Sequence, residues 1–304
     1  MWVIISVASY FLTAINSVVD KYILNHPVGN PIVYAFYVGI FSIFSVILTP
    51  FGFEWPGIMQ FLAATSVGVV FLLALITFFT ALRSDEASRI VSIVGGTTPV
   101  FIIILSGILL GHKLYANEIL ALFFLILGSL TISAKKNQKC GIFEFYNYKC
   151  VQSAQVAVLS AFFFALFFVF AKFVFLNQPF ISGFVWMRIG SFIAAIILLM
   201  FPYARHKIFN ATKKISAGIG GLFLANKVIA GVAFLMLNYA IFLGNIAIVN
   251  ALEGVKYLFV LLFAYLISMR FPKILLEDTD KWVIFQKAAA IILICAGLAS
   301  FYLY

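Results

Sequence analysis

Long apolar runs, separated by short polar connections, make up nearly all of this 304-residue chain. A helix needs about 20 mainly apolar residues to cross the hydrocarbon core of a bilayer, and ten runs reach or approach that length. They are residues 2–23, 31–50, 58–82, 89–110, 117–134, 152–175, 180–201, 217–243, 246–268 and 282–303. The pattern predicts an all-α membrane protein with ten transmembrane helices.

Composition supports this prediction, because 64% of the residues are hydrophobic and only 10% are charged. Soluble domains have about 25% charged residues, which cover their water-facing surface. Lipid is therefore expected to be the solvent for most of the outer surface. The net charge of +10 does not point to nucleic acid, because the basic residues stand mostly in short connections between apolar runs.

The basic residues are strongly biased to one side of the predicted membrane. With ten spans, fifteen Lys and Arg residues fall on one side, against little beyond Lys113 and Lys172 on the other. Cytoplasmic connections of membrane proteins carry such an excess. The sequence therefore predicts a multi-pass protein of the cell membrane whose longest polar connection, residues 135–150, is cytoplasmic.

This orientation predicts that Cys140 and Cys150, both in that connection, are cytoplasmic and reduced. A membrane-impermeant maleimide added to intact cells should leave both unlabelled, and permeabilised cells serve as the positive control. Strong labelling of intact cells, or a disulfide between the two cysteines, would reverse the orientation.

The chain also looks duplicated. Residues 58–115 align with 218–275 at a constant offset of 160, and Lys21 aligns with Lys172. Each copy holds five spans, an odd number, so the second copy must enter the membrane upside down. Such inverted repeats are common in secondary transporters, with the site at the repeat interface. The predicted units are a first repeat (1–134), a cytoplasmic linker (135–151) and a second repeat (152–304).

The run GGTTPVFIIILSGILLGHKLYANEILALFFLILGSLTIS, residues 95–133, resembles the fourth and fifth spans of EamA-type transporters of the drug/metabolite transporter superfamily. Those spans typically show a proline in the fourth helix, an "LGE-L" element and a glycine in the fifth. The positions are filled here by Pro99, Leu110, Gly111, Leu114 and Gly128. Residues 245–273 and 286–298 look like a more divergent copy.

The resemblance implies ten helices around a central cavity lined by both repeats, and transport of amino acids, sugars, nucleotide sugars or other small metabolites. The sequence departs from the family pattern at His112, which stands where the family has glutamate, and at Arg270-Phe271-Pro272 in the second copy. No role is carried over from that glutamate.

Four ionisable residues stand well inside predicted spans: Arg188, Lys227, Glu253 and Lys256. Each costs about 2.5–3.5 kcal/mol on insertion scales, so most should face the protein interior or a wet cavity. For Arg188 and Lys227 the alternative is a side chain that reaches the headgroup region. Lys21 and Lys172, near span ends, are expected to be interfacial anchors, and Asp20 to pair with Lys21 or water.

Polar residues share one face of the predicted span 246–268. Asn250, Glu253 and Tyr257 follow helical spacing, and Lys256 is within reach of an ion pair with Glu253. Two interpretations remain open: a cavity-lining, substrate-binding face, or a structural pair that only neutralises itself. Equal depth also makes Arg188 a second partner to consider for Glu253.

Polar and small residues interrupt the predicted span 89–110, where Thr97 and Thr98 precede Pro99. Proline removes a backbone donor and kinks a helix. Either the segment is unwound and binds a ligand, as in broken transporter helices, or it is a plain kink that serves helix packing.

No catalytic or metal-ligand motif is present, including GxSxG, HExxH and the P-loop. The sequence therefore predicts no enzyme, no cofactor and no metal, but a secondary transporter or exchanger of a small polar metabolite. Its excess of interior cations favours an anionic substrate. A proton or sodium ion as coupling ion, and a monomer or homodimer, remain open. The alternatives are a flippase of a lipid-linked substrate, which needs a laterally open groove, and an intramembrane enzyme or scaffold.

Overall fold

The computed structural model describes residues 2–24, 30–110, 119–120, 123–124, 126–128, 131, 148–212, 217–243, 249, 252–270 and 281–300. All regular elements within these residues are helices. They are α1 (Trp2–Leu24), α2 (Pro31–Phe41), the 3₁₀ helix η1 (Ser42–Phe51), α3 (Ile58–Ser84), α4 (Ala87–Leu110), α5 (Tyr148–Asn177), α6 (Phe180–Leu198), α7 (Pro202–Thr212), α8 (Ala217–Leu243), α9 (Glu253–Arg270) and α10 (Lys281–Ser300).

Seven of the described helical segments are long and apolar enough to cross a membrane: α1, α2 with η1, α3, α4, α5, α6 and α8. The prediction of an all-helical integral membrane protein is confirmed at this level. The predicted span 117–134 lies largely outside the described residues. The short helix α7 was not predicted, because its residues carry too many charges to form an apolar run.

The second span changes helix type partway along. Asn30 caps α2, its side chain accepting a hydrogen bond from the backbone of Ile32, and Pro31 occupies the first turn, where a missing N–H is harmless. From Ser42 the chain continues for 10 residues as η1 and ends at Gly52, whose φ of 117° needs glycine. Runs of 3₁₀ helix rarely exceed 3–4 residues, and longer ones often mark functional hinges.

Two glycines bring α3 and α6 into backbone contact. A Cβ atom on Gly68 would lie 2.0 Å from the carbonyl oxygen of Met187, and one on Gly190 would lie 2.1 Å from that of Thr65. Small residues at such crossings let membrane helices pack closely through van der Waals contact. The α3–α6 crossing is therefore a fixed point of the fold beside the cavity.

Two lysines cap helix ends in matching ways. Lys21 Nζ, near the end of α1, donates to the carbonyl of Leu82 in α3 at 2.8 Å, and Lys172 Nζ, near the end of α5, donates to that of Ile241 in α8 at 3.3 Å. Both carbonyls lie at helix C-termini, which lack intrahelical donors and attract cations. The prediction that Lys21 is an interfacial anchor was wrong, because its side chain is buried by protein. For Lys172, which is partly exposed, it stays a prediction.

Two serines repeat this correspondence. Ser9 Oγ in α1 donates to the carbonyl of Ala233 in α8 at 2.7 Å, and Ser160 Oγ in α5 donates to that of Ala74 in α3 at 3.2 Å. Ser9 and Ser160 are 151 residues apart, and so are Lys21 and Lys172. The residues whose carbonyls accept these bonds are 159 residues apart in both cases, Ala74 and Ala233 for the serines, Leu82 and Ile241 for the lysines. α1 and α5 therefore make equivalent contacts with α8 and α3.

The packing leaves much of the surface of α8 uncovered by other described helices. α1 packs along α8 and α9, whereas α3 packs along α5 and α6, and α4 packs along α5. Among the seven apolar segments, α8 has the smallest buried share. Its other side therefore borders open space near α2, η1 and α6.

Candidate functional site

A cavity of about 250 Å³ lies at the centre of the helices. Its lining comes from α1, α2, α3, α4, α5, α6, α8 and α9 and includes seven phenylalanines. The charged residues among the described lining are Asp20, Arg188, Lys227, Glu253 and Lys256. The site is thus a small, largely aromatic chamber with a few charged groups, as is usual for small-molecule pockets.

The structure brings most of the residues singled out in the sequence into this one chamber. Those that line it are Thr98, Arg188, Lys227, Glu253 and Lys256. Thr97 and Tyr257 lie outside the lining. Asn250, the remaining predicted site residue, lies outside the described residues.

A buried carboxylate on α1 anchors one side of the chamber. Asp20, 1% exposed, accepts hydrogen bonds from Lys227 Nζ at 2.7 Å and Asn226 Nδ2 at 2.6 Å, and from the hydroxyl of Tyr34. Asn16 donates to its second oxygen at 3.2 Å. Four donors compensate for the removal of this carboxylate from water.

The expectation that Asp20 pairs with Lys21 or water was therefore wrong. Its ion-pair partner is Lys227, and the side chains of the pair are 2% and 8% exposed. The headgroup-reaching alternative for Lys227 is wrong as well, because its ammonium ends inside the protein over the ring of Tyr34. One signal in the sequence pointed to the site: the polar residues Asn16 and Asp20 are one helical turn apart in an apolar run.

The second charge pair stands at the beginning of α9. Lys256 Nζ donates to Glu253, as the i, i+3 spacing predicted, and both side chains face the chamber. Glu253 is the first residue of α9, where the partial positive charge of a helix N-terminus stabilises a carboxylate. The structure shows no pairing of Glu253 with Arg188.

Arg188 has no anionic partner among the described residues. Its guanidinium carbon lies 5.0 Å from the ring centre of Phe71 and 5.0 Å from that of Phe234. Rings in this position offer a weak attraction to the cation but no hydrogen-bond acceptor. Because Asp20 neutralises Lys227 and Glu253 neutralises Lys256, one uncompensated positive charge remains in the described lining, on Arg188.

The Thr-Pro segment of α4 is helical, not unwound, from Gly95 through Pro99. Thr97 and Thr98 donate their hydroxyls to the carbonyls one turn back, at 2.7 Å and 2.6 Å. Both hydroxyls thus find acceptors within their own helix. The carbonyl that Pro99 deprives of a backbone donor is that of Gly95, four residues back, and these two bonds do not reach it.

The hydroxyl end of Tyr257 packs against the same segment of α4. A Cβ atom on Gly95 would lie 1.7 Å from the Tyr257 hydroxyl. Tyr257 therefore joins α9 to α4, and its hydroxyl lies at the backbone of α4 and not in the chamber.

A further group of buried charges, not predicted from the sequence, lies at the α3–α4 junction. Lys287 Nζ of α10 is 2.7 Å from Glu86, and Arg89 approaches Asp85 at 3.9 Å and Glu86 at 3.7 Å. Arg89 and Lys287 are only 3% and 2% exposed. Both residues were counted in the basic excess on one side of the membrane, near the ends of the predicted spans 89–110 and 282–303. Here they tie α10 to the junction, away from the chamber lining.

Fold and site together define an integral membrane protein of helices that surround a charged central cavity. No family model matches the chain, and no curated protein matches it. Among solved structures 24 chains match. One, described as "Crystal structure of protein", has a TM-score of 0.57 and 14% sequence identity, with 99% of this chain and 95% of that chain covered. At this identity the similarity shows a shared fold.

Proposed function

We propose that the protein is a secondary transporter or exchanger that moves a small polar metabolite with one anionic group across the cell membrane. The observation that carries the proposal is the uncompensated guanidinium of Arg188 in an otherwise charge-balanced chamber. A buried charge without a partner is costly. A carboxylate or phosphate on the substrate would complete the site, because guanidinium binds both through paired hydrogen bonds.

The proposed architecture is ten membrane-spanning helices in two inverted five-helix repeats, in the manner of EamA-type transporters. The matched lysine and serine contacts of α1 and α5 support it.

Alternating access fits this arrangement because the chamber lies between the two proposed repeats. Asp20 and Lys227 come from opposite repeats, and so do Thr98 and Glu253. Rocking of one repeat against the other would expose the chamber to each side in turn. Without an ATP-binding motif, uphill transport requires an ion gradient or exchange.

Counterflow in proteoliposomes tests the proposal. Purified protein is reconstituted with one unlabelled compound inside, and uptake of its labelled form is measured for matched monocarboxylates, phosphates, sugars and amines. Exchange of the anions and exclusion of matched amines is the expected result. If only amines or neutral sugars exchange, the anion assignment is wrong.

The Glu253–Lys256 pair is predicted to be part of the transport site. Glu253→Gln and Lys256→Met should each abolish counterflow while leaving expression near normal, because both side chains face the chamber, 13% and 14% exposed. Normal transport by the double variant would show a merely structural pair. Lys207→Met, at a partly exposed position of α7 outside the chamber lining, is the matched control.

A second candidate function, a flippase of a lipid-linked substrate, is favoured by one observation. A groove beside α8 joins the chamber and carries apolar residues exposed on the outside of the protein. Scrambling of a fluorescent lipid in the same proteoliposomes, absent in empty liposomes, would support the flippase over the metabolite transporter.

A further inference from the structure

The groove beside α8 has a volume of about 390 Å³ and lies between α2 with η1, α6 and α8. It shares its inner end with the chamber, at Phe41, Arg188, Lys227, Gly231 and Phe234. Pockets of about 300–1,000 Å³ hold small molecules. The groove is therefore large enough to extend the chamber for part of a ligand.

The outer part of the groove is apolar and faces the surroundings of the protein. Phe44 and Ile47 of η1 are 61% and 69% exposed, and Val228 of α8 is 67% exposed. For a membrane protein these residues meet acyl chains. Among the described residues that line the groove, the charged ones are Arg188 and Lys227. Both stand where the groove joins the chamber, and Lys227 is neutralised by Asp20.

One further group in the groove lacks a partner. The hydroxyl of Ser45, in η1, is buried and makes no hydrogen bond within the described structure. It lines the groove with Ser42, whose hydroxyl donates to the carbonyl of Val38. The oxygen is covered by neighbouring atoms, so this hydroxyl belongs to the wall of the groove and offers it little polar surface.

The geometry points to a bipartite site for an amphipathic monoanion, with its anionic head on Arg188 and its apolar tail in the groove between η1 and α8. The inference rests on the proposed function and narrows the substrate class. The occupant follows from charge complementarity. The inner end of the groove holds one cation, Arg188, without an anionic partner among the described residues, and an apolar channel leads from it to the outer surface. A small hydrophilic anion would leave that channel unfilled.

A substitution at Gly231 can close the junction between the groove and the chamber. Gly231 lines this junction, and a Cβ atom there would meet no heavy atom within 4 Å. A phenylalanine at this position should fold and fill the junction. Gly221, on the same helix and equally unobstructed, lines neither cavity, so Gly221→Phe is the matched control.

The test is isothermal titration of the protein in lipid nanodiscs with butanoate, octanoate, decanoate and the neutral decanol. Burial of each added CH₂ is worth roughly fourfold in affinity. Decanoate should bind the wild type and Gly221→Phe more tightly than butanoate does. Gly231→Phe should weaken decanoate at least about tenfold more than it weakens butanoate, because the added ring fills the junction that only the longer tail has to cross.

The outcomes separate this inference from the proposed function. Suppose that butanoate binds in an Arg188-dependent way. If decanoate then binds no tighter than butanoate, or if its affinity is unchanged in Gly231→Phe, the tail site is wrong and the transporter proposal stands. If decanol binds as tightly as decanoate, the groove takes any apolar molecule and the bipartite site is wrong. If neither acid binds, the bipartite site is wrong, and the transporter proposal is then decided by the counterflow of phosphates and polar carboxylates.

Discussion

Arg188→Gln is expected to lower the kcat/KM of anion counterflow at least about 30-fold. Removing one member of a buried charge-assisted contact costs about 2–5 kcal/mol, and each 1.4 kcal/mol is a factor of ten. Glutamine keeps some hydrogen bonding but is shorter and uncharged, so the loss reports the whole guanidinium group. Arg188→Lys keeps the charge but not the planar guanidinium. Its kcat/KM should therefore lie between those of the wild type and Arg188→Gln.

The same substitution should not destabilise the empty protein. Arg188 has only the rings of Phe71 and Phe234 as close partners among the described residues, so glutamine relieves a buried charge. The melting temperature without substrate should stay equal or rise. Arg205→Gln, on the exposed face of α7, controls for loss of a cation. Full transport by Arg188→Gln, or a large fall in its melting temperature, would contradict the substrate-binding role.

Asp20→Asn and Lys227→Met should each lower the free energy of unfolding by about 3–5 kcal/mol, because each leaves the other charge buried and unpaired. The Asp20 carboxylate is 2% exposed and its partner 8% exposed, so water cannot replace the lost ion. Denaturant unfolding of the purified variants in one detergent measures the effect. The double variant should recover much of the loss, because no unpaired charge remains.

Asn226→Leu provides a graded comparison within the same cluster. It removes one neutral donor to Asp20, a bond of 2.6 Å, and leaves the ion pair in place. Its cost should be smaller, about 1–3 kcal/mol. If the two single charge variants are as stable as the wild type, or if their effects simply add in the double variant, the ion pair does not hold α1 against α8.

The helices could be predicted because the length of an apolar run is a local property. The charge pairs were predictable only where they are local too. Glu253 and Lys256 are three residues apart on one helix. Asp20 and Lys227 are separated by 207 residues, so only the packing of α1 on α8 reveals them as partners.

Depth was the second point that the sequence could not supply. Asp20 lies near the end of α1, where a membrane surface was expected, yet the last residue of that helix, Leu24, is 1% exposed. The end of α1 is covered by other parts of the protein, and Lys21 is used to cap α3 there. The position of a residue near the end of a helix was therefore a poor guide to whether its side chain reaches solvent.

The 3₁₀ helix η1 contains a built-in change of length. Its 10 residues rise about 2.0 Å each, against about 1.5 Å in an α-helix, so conversion to α would draw the segment in by about 5 Å. It begins where α2 ends, at Phe41, and it stops at the left-handed turn of Gly52. With α2 held in place, shortening would move Ser45 by about 2 Å and Ile47 by about 3 Å along the groove wall and change what the groove presents to α8.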